Sequence, residues 1–292
     1  MPAISKRRVE SECAESAISP PAAAPSRHPD AWLILPVLLC AIGVGVVVAT
    51  GGNEDLFRAA NTAASGWLPA FAWAGITHLG STLGAFCLLA PALVRQPRWV
   101  AAALLATPFA SFYTHAIKKL TDIPRPPSVL PPEAIHIVGS PLYSHSFPSG
   151  HTLAIFTLAG VVMLCGRRPL LAWLALPLAA LVAFSRIAVG AHWPLDLLVG
   201  AAGGWASAAI GCAGSARWRF WENERNQRVL AALALVAAVA FGFEKLDHPE
   251  GRWMQYLLCA WAAAGTLYAF WRPAASRRRT PRDDGERPCP DA

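Results

Sequence analysis

Eight residues in three short stretches of this 292-residue chain have side chains that could do chemistry together. Lys118 and Arg125 form the first pair, with six residues between them. Ser149-Gly150-His151, preceded by Pro148, is the second group. Arg186, His192 and Asp196 make up the third. Asp196 lies two residues after Pro194, which suits the first turn of a helix, and His192 stands just ahead of that turn. A carboxylate there can reach back and accept a hydrogen bond from one ring nitrogen, which leaves the other bare as a nucleophile or base. Ser149 and Gly150 open a second helix, whose free amides and hydroxyl suit an anion with His151 close by. With three cations added, the set describes a phosphate-sized anion site that holds a nucleophile and a proton donor.

Each feature also has an ordinary structural reading. An acid in a first helical turn complements the positive helix end. Ser149 can be a plain N-cap, and any one of the cations can snorkel to a membrane interface. The choice between these readings depends on which elements carry the residues and where those elements end.

The elements are membrane helices. Of all residues, 54% are hydrophobic and 15% charged, against about 25% charged in a soluble domain. Uncharged runs recur at 31–50, 67–93, 99–117, 149–165, 170–185, 194–212, 229–243 and 253–271. Most match the roughly 17–25 residues needed to cross the hydrocarbon core. The fold expected is all-α: a polytopic membrane helical bundle with a six-span core and two further C-terminal spans. The parts are a cytoplasmic tail over 1–30, the core over 31–212, a cytoplasmic link with two extra helices over 213–271, and a basic cytoplasmic tail over 272–292. Asp196 is the only Asp, Glu, Lys or Arg inside any of the eight runs, which by itself calls for an explanation.

The net charge of +7 is spread in a way that speaks for topology rather than for nucleic acid. With the N-terminus in the cytoplasm, most Lys and Arg fall inside, including Lys6, Arg7, Arg8, Arg95, Arg98, Arg167, Arg168, four from Arg217 to Arg228 and six from Arg272 onward. This is the positive-inside pattern. On this topology the third and fifth runs end, and the fourth and sixth begin, at the outer face. All eight residues then gather there, reached also by a long loop, 118–148, that holds seven prolines and is expected to be extended and stiff. Gly200 and Gly204 in the sixth run form a GxxxG pair that suits close helix packing.

The remaining candidates carry less chemistry. The seven cysteines show no disulfide framework, redox pair or metal-ligand spacing. His78 reads as a packing hydrogen-bonder within a span. His115, one turn before Lys118, is a candidate to line the site. His136 and His145 are loop residues within reach of a headgroup.

The three motifs together, Lys118 to Arg125-Pro126, Pro148-Ser149-Gly150-His151 and Ser185-Arg186 to His192 and Asp196, resemble the signatures of the type-2 phosphatidic-acid phosphatase superfamily. The resemblance spans roughly residues 60–212. It implies a lipid phosphatase that works through a phosphohistidine. His192 would attack phosphorus, Asp196 would hold its ring, and His151 would serve the leaving oxygen and then water. Lys118, Arg125, Ser149, Gly150 and Arg186 would bind the phosphoryl oxygens. It implies no metal and no cofactor, a membrane lipid phosphate as substrate and the bilayer as surroundings. The active site would lie on the periplasmic side of the inner membrane. A lipid phosphotransferase would use the same groups. A transporter would instead need charges near span midpoints, and the related vanadate-dependent haloperoxidases are soluble. Candidate lipids are undecaprenyl diphosphate, phosphatidylglycerol phosphate, phosphatidate and lipid A. The motifs read only the phosphate. They leave the oligomeric state open as well.

Overall fold

The computed structural model describes residues 29–166 and 169–271, and all regular structure among them is helical. The expected tails, with Cys13, Cys289, Arg167 and Arg168, lie outside the described residues. The helices are α1 (Pro29–Thr50), α2 (Asn53–Trp67), α3 (Ala70–His78), α4 (Thr82–Leu89) and α5 (Pro97–Thr121). They are followed by α6 (Pro126–Val129), α7 (Gly150–Cys165), α8 (Pro169–Ala188), α9 (Pro194–Trp218), α10 (Glu224–Phe243) and α11 (Arg252–Trp271).

Four of these, α1, α5 with its extension, α9 and α10, are long and apolar enough to cross a membrane, while α7 and α8 are shorter apolar helices. Their surroundings agree with lipid contact. On α1 the apolar side chains face outward nearly all round, with Ile34 59%, Leu39 58% and Val46 56% exposed. An apolar helix with so little protein around it is solvated by lipid, not by water. The molecule is a multi-pass membrane bundle.

α9 is the central helix and packs on α7, α5 and α1. Its glycines allow the approach to α7: a Cβ on Gly200 would stand 2.7 Å from the Ser149 carbonyl oxygen, and one on Gly204 would collide with that of Leu153. Small residues at this spacing let the two backbones meet. The contact sets the N-terminal ends of α7 and α9 side by side, and the amide of Ser149 donates to the Asp196 carbonyl at 3.0 Å. Farther along the same pair, Cys165 and Cys212 form a disulfide with Cα atoms 5.8 Å apart. The sequence suggested no such pair, because 47 residues separate the two and only the crossing of α7 with α9 puts them in register.

The run 67–93 is not one straight helix. α3 and α4 with its 3-10 continuation bend by 73° at a break over residues 79–81. Ser81 stops the first helix and starts the second, its hydroxyl accepting from the Gly84 amide at 3.0 Å. Hydropathy alone cannot register such a capping serine. The Pro-rich loop also departs from a fully extended course. Proline in a first turn is tolerated, and α6 and a 3-10 turn at Pro132–Ala134 both begin on proline. α10 and α11 form the expected C-terminal hairpin, although α11 is not among the helices long and apolar enough to cross a membrane. The hairpin packs on α3, α4 and the 3-10 segment, away from α9.

Candidate active site

Asp196 begins with a structural task. Its Oδ2 accepts the Trp193 amide at 2.9 Å, closing the first turn of α9. The same oxygen accepts Nδ1–H of His192 at 3.0 Å and the Ser146 hydroxyl at 2.5 Å. Helix cap and histidine partner are therefore one group, and the two readings of Asp196 both hold. Its carboxylate assigns the ring proton to Nδ1, because a carboxylate can only accept. Nε2 is left as a bare lone pair, and Arg125 Nη1 lies 3.1 Å from it.

His192 sits in the turn between α8 and α9 and is 2% exposed. Burial and then the charges of Arg125, Arg186 and Lys118 hold its pKa well below the usual histidine range. Both causes oppose a second ring proton and keep the imidazole nucleophilic.

The loop folds back to place Arg125. Its backbone amide donates to the Tyr143 carbonyl at 3.0 Å, Nε to Ser144 at 2.8 Å and Nη1 to Ala191 at 3.0 Å. Trp193 Nε1 bonds the Pro124 carbonyl at 2.9 Å, which fixes the loop to the start of α9. Lys118, in the last turn of α5, donates to the His145 carbonyl at 2.6 Å. Arg186 is 1% exposed; its Nη1 donates to Thr77 Oγ1 at 2.6 Å, while its buried Nε has no hydrogen-bond partner among the described residues. No carboxylate pairs with any of the three cations among the described residues. A buried guanidinium with an open donor is suited to an anion that can answer it.

Ser149 is the N-cap of α7, accepting from the Thr152 amide at 3.4 Å and the Thr152 hydroxyl at 3.0 Å. His151, in the first turn of α7 and half-buried, makes no hydrogen bond through its ring among the described residues. It lines a cavity of about 350 Å³ together with Gly150, Thr114, Ala154, Phe86 and Glu244. The cavity runs between α4, α5 and α7, and most of its lining is apolar.

All eight sequence-predicted residues thus collect at one end of the bundle. Of the secondary candidates, His115 lines the cavity. The ring of His145 faces Asp122 at 3.4 Å, and the backbone of His136 is held by Asn61. His78 ends α3 at the bend, and its Nε2 bonds the His248 carbonyl at 2.9 Å. Sequence reasoning missed Ser146, Thr77 and His248. Ser146 lay within reach, five residues before His151 in a stretch dense with polar groups. The other two have no local signal.

The sequence model of the PAP2 superfamily matches residues 99–221. All eight residues fall inside that range, whereas Thr77 and His248 fall outside. In sequence the chain is similar to YbjG of Escherichia coli, whose name carries a provisional undecaprenyl-diphosphatase assignment, at 45% identity over 23% of this chain and 31% of that one. It is also similar to an undecaprenyl-diphosphatase of Sulfolobus acidocaldarius, at 46% identity over 19% of this chain and 27% of that one. The matches thus span about a third of these relatives or less. The crystal structure of Aquifex aeolicus LpxE superposes with a TM-score of 0.50 at 29% identity, covering 55% of this chain and 94% of that one.

Proposed function

We propose that this chain is an integral-membrane phosphatase that removes phosphate from a phosphate monoester or diphosphate of a membrane lipid through a phosphohistidine on His192. One observation carries the reading. Nδ1 of His192 is committed to Asp196 while Nε2 faces Arg125, and none of Lys118, Arg125 and Arg186 forms an ion pair with a carboxylate among the described residues.

Nε2 of His192 attacks phosphorus as the bond from phosphorus to the leaving oxygen breaks. His151 gives that oxygen its proton. The neutral His151 then takes a proton from water, whose oxygen displaces His192 and releases inorganic phosphate. Lys118, Arg125 and Arg186 balance the charge on the equatorial oxygens, helped by the Ser149 hydroxyl and the Gly150 amide. Such transfers depend mainly on positioning and charge stabilisation. The charge here comes from side chains, so activity is expected to survive EDTA.

The apolar cavity beside His151 and Gly150 supports a substrate with a hydrocarbon tail. The names of the sequence relatives put undecaprenyl diphosphate first among the lipids to try. The distribution of Lys and Arg supports a site on the periplasmic face of the inner membrane, with both termini in the cytoplasm.

The test is phosphate release by purified protein from undecaprenyl diphosphate, phosphatidylglycerol phosphate, phosphatidate and a lipid A phosphate, with and without EDTA. His192→Ala is expected to abolish release, and His151→Ala to reduce it by at least about 100-fold. Full turnover by either variant would overturn the assignment of roles. Phosphate passed to a second lipid instead of to water would make the protein a phosphotransferase.

A further inference from the structure

The PAP2 match stops at residue 221, and the mechanism above uses nothing beyond it. The turn that joins α10 to α11 nevertheless enters the site. His248, 2% exposed, stands in that turn with both ring nitrogens engaged. Nδ1 lies 2.6 Å from the Val138 carbonyl, which can only accept. Nε2 lies 3.2 Å from Nη1 of Arg186, which can only donate. The neighbours therefore dictate one neutral tautomer, with its proton on Nδ1 and its lone pair turned to the guanidinium. Burial and the charge of Arg186 also lower the His248 pKa to about 3, so the ring stays neutral at working pH.

The turn itself is fastened from both sides. His78 bonds its carbonyl at 2.9 Å, and the Ser140 amide in the outer loop donates to the Asp247 carbonyl at 2.9 Å. Among the described residues Arg186 thus has two side-chain acceptors, Thr77 and His248, and both are uncharged. A carboxylate in place of either would hold the guanidinium equally well but would neutralise it. Neutral acceptors fix its direction and leave its charge for an anion.

We propose that the C-terminal hairpin completes the phosphate site, with neutral His248 as a positioning residue that aims Arg186 at the phosphoryl oxygens. The proposal rests on the phosphatase reading for the identity of the anion.

The test measures orthovanadate binding by calorimetry alongside lipid kcat/KM, on variants whose folding is checked by gel filtration in detergent. His248→Ala is expected to lose about 10- to 100-fold in both, the range for a hydrogen bond to a charged group. His248→Gln, whose amide oxygen can accept from Arg186, is expected to recover most of that. In an Arg186→Ala background, His248→Ala is expected to cost less than about twofold more, because the partner it serves is gone. Losses that multiply in the double variant, or unchanged orthovanadate affinity in His248→Ala, would overturn the proposal.

Should His248→Ala fail to fold, His248→Glu against His248→Gln decides. A neutralised Arg186 is expected to bind orthovanadate at least about tenfold more weakly, and equal affinity would refute the idea. Orthovanadate binding needs no turnover. A wild-type chain that binds the ion through Arg186 and His248 but hydrolyses no lipid would refute only the lipid-phosphatase reading.

Discussion

Asn in place of Asp196 separates the charge of this residue from its shape. Three donors converge on a single oxygen, Oδ2: the Trp193 amide at 2.9 Å, the Ser146 hydroxyl at 2.5 Å and Nδ1 of His192 at 3.0 Å. An asparagine can meet the first two only by placing its carbonyl oxygen where Oδ2 stood. The same oxygen then still faces Nδ1, so the tautomer of His192 and the cap of α9 are both retained. What is lost is the negative charge. A hydrogen bond to a charged group is worth about 1.5–3 kcal/mol and a neutral one about 0.5–1.5 kcal/mol, so removing the charge alone costs about 1–1.5 kcal/mol and is expected to lower kcat by about 5- to 13-fold. The assay is initial-rate phosphate release, with thermal unfolding in detergent as the control, which is expected to shift little. A kcat within twofold of wild type would refute the role of the carboxylate. A fall of about 10⁴-fold, the size seen when a triad histidine is held in its wrong tautomer, would show that the amide had turned and that the two cap donors do not pin it.

Ala154→Trp would fill the cavity beside His151; it is expected to raise KM for long-chain lipid phosphates at least about tenfold while sparing a short water-soluble phosphate ester. Equal losses for both substrates would detach the cavity from tail binding. His192 and His248 both have pKa values lowered by burial, so the unfolded chain takes up protons first as pH falls below about 6.5. Stability is therefore expected to be full above about 6.5 and to decline as pH falls from there toward the depressed values, by up to about 1.4 kcal/mol per unit for each ring. A melting temperature that stays flat from pH 7 to 4.5 would contradict this. Gly204→Val would drive a side chain into the Leu153 carbonyl and is expected to cost at least about 1–3 kcal/mol, read as a lower melting temperature.

The candidate site was legible because its chemistry is local. His192 and Asp196 are four residues apart, and Ser149 and His151 share one helix start, so proline and serine at a helix opening were enough to relate them. The meeting of three such segments followed from which way the helices run. Contacts that depend on how helices cross were not legible. Arg186 reaches Thr77 across 109 residues and His248 across 62, and nothing in either neighbourhood marks a partner. The Cys165–Cys212 bridge was hidden for the same reason. The break at residues 79–81 was missed because an apolar run scores alike whether it is straight or bent, and only the serine cap distinguishes the two cases.

That break bears on why the hairpin exists at all. Where a helix is interrupted inside a bilayer, the loosened peptide groups cannot be left facing hydrocarbon, which offers them no hydrogen bonds. Here the gap is narrowed by short turns, with Gly80 donating to Thr77 and Ser81 to His78. Around it α7 and α8 pack on one side, α10 and α11 pack on α3 and α4 on another, and Gly80, Ser81 and Thr82 line the cavity beside His151. The last two helices thus brace the bend from behind, while its open side faces the space proposed for the substrate's tail. A version of this chain ending near residue 221 would have to straighten the bend or find another brace before it could keep its shape in a membrane.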